Sequence, residues 1–160
     1  MIGLRFVTNP SPLTIYPLSF ILDPFVDFAM SKTFYTVFLV GVGGFAGSVA
    51  RYLLGGWVQQ LSGRLNFPYG TIAVNLAGCF VIGLLSYLVD AREMFSTEAR
   101  AFLFVGVLGG FTTFSAFGNE TMVLLRHGYF LYAMLNVVVQ VAAGLFLVWA
   151  GREIAQLIRG

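Results

Sequence analysis

The sequence predicts an all-α membrane protein: four transmembrane helices with a break in the third. Three observations carry that expectation. Only 10% of the 160 residues are charged and 58% are hydrophobic, whereas a soluble domain carries roughly 25% charged residues. The few charges are clustered, so that residues 65–89, 101–119 and 127–151 contain no Asp, Glu, Lys or Arg, and 33–63 contains only Arg51. At about 1.5 Å per helical residue, each interval can cross about 30 Å of hydrocarbon. Finally, Gly109-Gly110 and Thr112-Thr113 stand together in the middle of the third interval, where glycine freedom and threonine hydroxyls loosen a helix.

Residues 1–33 read as an N-terminal extension. Four of the five prolines (Pro10, Pro12, Pro17 and Pro24) lie there and interrupt any helix. The stretch LTIYPLSFIL is too short to span, and no small-residue cleavage site follows it, so it is a poor secretory signal. From Met30, MSKTFYTVFLVGVGG has the form of a natural start, a short basic tail and then a span. The upstream segment is then either an over-extended start or an interfacial tail. Residues 34–152 form the membrane domain, with spans at about 34–60, 69–89, 99–125 and 129–151, and 153–160 form a tail. The connections 64–68, 90–100 and 126–128 are expected as tight turns, leaving no soluble part in which an active site could lie.

An even number of spans puts both termini on one side. Lys32, Arg92, Arg100, Arg152 and Arg159 collect there, against Arg64 and Arg126 opposite, with Arg5 added if the extension is present. The positive-inside rule therefore leans toward cytoplasmic termini in a multi-pass plasma-membrane protein, in a bacterium the inner membrane.

Several residues within the spans invite a chemical reading. In the first, Gly43 and Gly47, and Ala46 and Ala50, have the four-residue spacing of close helix contact. Arg51 lies about 26 Å beyond Phe34, at the far interface, where a guanidinium snorkels as an anchor more readily than it gates a path. Asn75 in the second span, and Asn136 and Gln140 one turn apart in the fourth, are costly in lipid and face the interior; Tyr132 extends that stripe. The stripe serves either as interhelical glue or as a conduit. The loosened centre of the third span either allows close packing or frees carbonyls for a cation. Just after it, Phe114 and Phe117 share a helix face, with Ser115 between them and Glu120 one turn on. Packing is the ordinary role of such rings, but two presented edge-on would favour a small anion.

One cysteine (Cys79) and one histidine (His127) allow neither an intrachain disulfide nor an all-Cys/His metal site. Nor does the sequence contain a Ser-His-Asp set, a phosphate loop or a basic stripe, which argues against an enzyme and against a nucleic-acid partner.

GVGGFAGSVARYLLG (41–55), YGTIAVNLAGCFVIGLL (69–85) and VGVLGGFTTFSAFGNE (105–120) together resemble the fluoride channel family, the Fluc or CrcB proteins. The resemblance covers about residues 34–152 and is most specific in GG-x-TTFS-x-F. It implies an antiparallel, dual-topology homodimer that conducts fluoride passively out of the cytoplasm through two pores. It also implies a structural sodium ion at the dimer centre, held by the backbone carbonyls of Gly109 and Thr112. Phe114 and Phe117 would form an aromatic box beside Ser115, Asn75 would supply an amide donor, and Tyr132 and Asn136 would belong to a polar track. Arg51 matches the family's first-span arginine, and Glu120 its acid after the third-span motif. Ala116 and Gly118 stand where the motif commonly has Thr and Ser, and Asn136 and Gln140 replace smaller or hydroxyl residues. The arginine bias also departs from the balanced loops of an inverted pair. The alternative is a small four-span proton-coupled multidrug exporter using Glu120. It is disfavoured because such transporters carry their essential acid in the first span, where no acid occurs between Met30 and Asp90. A third reading, a non-transporting assembly subunit, leaves the polar residues of the spans without a purpose.

Overall fold

The computed structural model describes residues 24–63, 66–92 and 95–158. Expectations for residues 1–23, and for Arg64 and Arg159, lie outside the described residues. The chain divides into two units, 1–33 and 34–160. Helix α1 is Pro24–Ser62 and α2 is Tyr69–Arg92. Helix α3 comprises Thr97–Arg100, a wider-wound Ala101–Leu108 with π-type turns, and Gly109–Phe111. Helix α4 is Phe114–Arg126. Helix α5 comprises Phe130–Val138, a π-wound Val139–Ala143 and Gly144–Leu157. Among the described residues, four stretches are long and apolar enough to cross a membrane: Ser31–Ser62, Tyr69–Val89, Thr97–Arg126 and Phe130–Leu157.

The connection expected over 90–100 is largely helical. Helix α2 continues to Arg92 and α3 begins at Thr97, because Ser96 caps it: its Oγ accepts the Ala99 N–H at 3.2 Å, with Glu98 in the favourable first turn. At the other end of the chain, α5 runs on to Leu157, so most of the expected tail is helix. The turn at 126–128 is as short as its sequence suggested. Gly128 takes φ +79°, its N–H donates to Leu125 O, and the Tyr129 N–H donates to Leu124 O. This is a Schellman closure, and its left-handed position favours glycine.

Packing depends on small residues. A methyl group at Gly47 would collide with the Val107 carbonyl oxygen, and one at Gly110 with that of Gly44, so α1 and α3 touch backbone to backbone. Gly43 and Gly47 are buried in this contact, whereas Ala46 and Ala50 are exposed on another face of α1. Helix α2 lies against the C-terminal half of α5, where Gly83 meets Val148 and Gly151 meets Phe80. Among the described residues the buried apolar set is small (Ile72, Val74, Leu108, Leu124, Ala133 and Ala155), and Asn136 is fully buried among the helices. Large side chains such as Phe38, Phe45 and Leu145 point outward. In lipid, packing and hydrogen bonding hold helices together more than apolar burial does.

A bulky side chain in the α1/α3 contact should therefore separate the helices. Gly47→Leu is expected to lower stability in detergent by about 2 kcal/mol or more, as overpacking does. Gly41→Ala and Gly56→Ala, which meet nothing within 4 Å, should be neutral. Thermal unfolding followed by circular dichroism checks both.

Candidate functional site

The site is built around two residues with extended backbone between α3 and α4, Thr112 (φ −84°, ψ 159°) and Thr113 (φ −151°, ψ 110°). An extended residue presents its N–H and C=O to the same side, as in a strand. Asn75 of α2 answers both: the Thr113 N–H donates to Asn75 Oδ1 at 2.8 Å, and Asn75 Nδ2 donates to Thr113 O at 3.1 Å. The side-chain amide thus takes the place of a neighbouring strand. Thr113 Oγ1 caps α4 by accepting the Ala116 N–H at 3.2 Å, and Thr112 donates both its N–H (2.9 Å) and its Oγ1 hydroxyl (3.0 Å) to Leu108 O. In an uninterrupted helix the Thr113 amide would donate to Gly109 O and the Ala116 amide to Thr112 O. Both amides are diverted here, so these two carbonyls lose their helical donors.

A run of side-chain bonds continues from Asn75. Its Nδ2 donates to Gln140 Oε1 at 2.6 Å, Gln140 Nε2 to Asn136 Oδ1 at 2.8 Å, and Asn136 Nδ2 to Thr121 Oγ1 at 2.9 Å. The Thr121 hydroxyl donates to Phe117 O at 2.7 Å. Burying Asn136 costs little because its amide is paired.

Asn75, Gln140, Gly109, Thr112, Thr113, Phe114 and Phe117 line one cavity of about 340 Å³. The Phe114 and Phe117 rings are 5.4 Å apart and tilted by 53°. Phe114 is 83% exposed, so little of its surface is covered by the rest of the chain. Gly109 is also exposed, and Ser115 Oγ lies 3.3 Å from Thr113 Oγ1.

A second, larger recess of about 790 Å³ holds the two charged candidates. Arg51 and Glu120 both line it, with Ser48, Gln59, Asn66 and Thr71. Arg51 sits well before the end of α1 at Ser62 and faces this recess. Glu120 Oε1 accepts the Thr71 hydroxyl at 2.6 Å, while its buried Oε2 has no partner among the described residues. Thr113 is common to both linings and so stands between recess and cavity. Tyr132 does not join the amide run; its ring packs 5.7 Å from Phe67 and 6.0 Å from Tyr129.

Sequence reasoning missed Thr71, Thr113 and Thr121 as side chains of the site. Thr71 was findable: it precedes Asn75 by one helical turn and shares its face. Thr113 was read only as loosening the helix, and Thr121 enters the site through Asn136, 15 residues away on another helix.

The family described as CrcB-like protein, Camphor Resistance, matches residues 38–152. Among curated proteins, the fluoride-specific ion channel FluC of Methylobacillus flagellatus is 46% identical over 123 residues, covering 77% of this chain and 96% of the relative. That of Elusimicrobium minutum is 48% identical over 121 residues (76% and 94%). That of Geobacter sulfurreducens is 49% identical over 116 residues (72% and 93%).

The Asn75 clamp makes its own prediction. Asn75→Leu removes the acceptor of the Thr113 amide, which should then exchange with deuterium at least about tenfold faster, the equivalent of one lost buried hydrogen bond. Asn75→Asp keeps an acceptor and should retain most of the protection, as exchange monitored by mass spectrometry or NMR will show.

Proposed function

The chain belongs to the CrcB-like family, and from that premise we propose that it is a multi-pass membrane channel subunit that lets fluoride leave the cytoplasm passively. The observation that carries this reading is the cavity in which Phe114 and Phe117 face the amide-bearing Asn75 and Gln140. Fluoride is the halide that accepts the strongest hydrogen bonds, and ring edges carry partial positive charge, so donors and edges together compensate its lost water. Among the described residues the lining holds no fixed cation that would trap the ion. Fluoride that accumulates in the cytoplasm as its weak acid enters would run back out along its gradient. This is ion conduction, not enzymatic turnover.

The functional unit in this reading is an antiparallel homodimer with two pores. The exposure of Phe114 and Gly109 supports it, because a second copy would cover both. The interruption of the third span at Thr112 and Thr113 would bring the carbonyls of Gly109 and Thr112 to the dimer centre. These carbonyls, deprived of helical donors, fit a hard cation such as sodium, which takes oxygen ligands. The ion's part would be structural, offsetting carbonyl dipoles that repel each other in a dry interior. Ser115, Tyr132 and Asn136 would border the path, and Arg51 and Glu120 would shape the recess at its mouth. The exporter reading is set aside: relatives matching 72% or more of this chain are named as fluoride channels.

Proteoliposomes holding the purified chain should release fluoride, measured with a fluoride electrode, and retain chloride under a matched gradient. Equal release of the two halides, or none of fluoride, would sink the proposal. Within the same assay, Phe114→Ile and Phe117→Ile should each cut fluoride release by about tenfold or more while the protein elutes unchanged, since isoleucine keeps bulk and loses the ring quadrupole. Normal release by both variants would return the rings to a packing role.

A further inference from the structure

The clamp between Asn75 and Thr113 fixes more than backbone shape. A side-chain amide has an acceptor oxygen and two N–H donors, and its neighbours decide which end faces which way. The Thr113 N–H requires an oxygen, so Asn75 turns Oδ1 toward it. Its Nδ2 then serves both Thr113 O (3.1 Å) and Gln140 Oε1 (2.6 Å), and both Asn75 N–H groups are spent. Because Gln140 gives its oxygen to Asn75, its nitrogen must face Asn136 Oδ1; Asn136 then donates to Thr121 Oγ1. A single backbone N–H thus polarises the whole run in one direction. Gln140 and Asn136 each keep one N–H without an acceptor among the described residues. Asn136 is sealed inside the protein, whereas Gln140 borders the cavity shared with Phe114 and Phe117.

Resting on the fluoride reading, we propose that Gln140, rather than Asn75, gives the anion its amide N–H in this cavity, and that Asn75 is a positioning residue whose own donors are committed to the protein. Turning Gln140 over would break its bonds to Asn75 and to Asn136 together. Its oxygen is therefore held by Asn75, and the donor is preorganised for an anion.

The test uses the full chain in lipid nanodiscs, isotopically labelled at the side-chain nitrogens of Asn and Gln. It is titrated with sodium fluoride, and with sodium chloride at equal ionic strength. The Gln140 signals are those absent from Gln140→Met, and the Asn75 signals those absent from Asn75→Asp. The expected result is a saturable downfield shift of one Gln140 amide proton with fluoride, neither Asn75 proton moving and chloride having no effect. A shift at Asn75 with Gln140 still, or no shift at either, overturns the proposal. In liposomes, Gln140→Met should lower fluoride release about tenfold or more, the loss of one hydrogen bond to a charged group. The protected Thr113 amide should remain as in the parent, which separates lost ion binding from a collapsed clamp. Unchanged release by Gln140→Met counts against the proposal. A parent that shows the Gln140 shift but passes no fluoride defeats the channel reading and leaves the binding site standing.

Discussion

One interaction organises the centre of this protein: the pairing of the Asn75 side-chain amide with the backbone N–H and C=O of Thr113. Non-helical backbone at membrane depth is tolerated only where its polar groups are answered by protein or by a polar cavity. Asn75 supplies that answer for Thr113, and Thr113 Oγ1 does the same for the first turn of α4. Once these substitutes are in place, the carbonyls of Gly109 and Thr112 are left for other uses. The same residue separates the recess that holds Arg51 and Glu120 from the cavity that holds the rings. Backbone geometry, available oxygen atoms and the division of space all follow from one amide.

The spans were legible because charge exclusion is a strong signal: a chain with so few ionisable residues shows its membrane intervals by where they are missing. The ends were less so. Ser96 starts α3 inside a polar stretch that reads as a turn, since a cap needs only one well-placed hydroxyl. At Arg51, position along the helix suggested an anchor, and the structure adds that the side chain lines a recess together with Glu120.

Within the site, the one-turn spacing of Asn136 and Gln140 announced their contact, and local periodicity sufficed. It did not suffice for Tyr132, which lies on the same stripe but finds better company in Phe67 and Tyr129, because a ring gains more from aromatic edges than from an amide chain. Nor could spacing pair Asn75 with Thr113, 38 residues away, or Thr71 with Glu120, 49 away. Such pairs depend on how helices cross. In this fold the crossings depend on glycines that bring α1 against α3 and α2 against α5 with no side chain between them.

The run from Asn75 through Gln140 and Asn136 to Thr121 consists of carboxamides and a hydroxyl, groups that neither gain nor lose a proton in ordinary water. Its charge is therefore the same in an acidified exterior as in a neutral cytoplasm. Histidines or carboxylates in its place would carry different charge in the two compartments, whereas this run carries the same charge in both. Any acid sensitivity of transport must then arise elsewhere, at the Glu120 carboxyl in the neighbouring recess or in the protonation of the permeating ion itself.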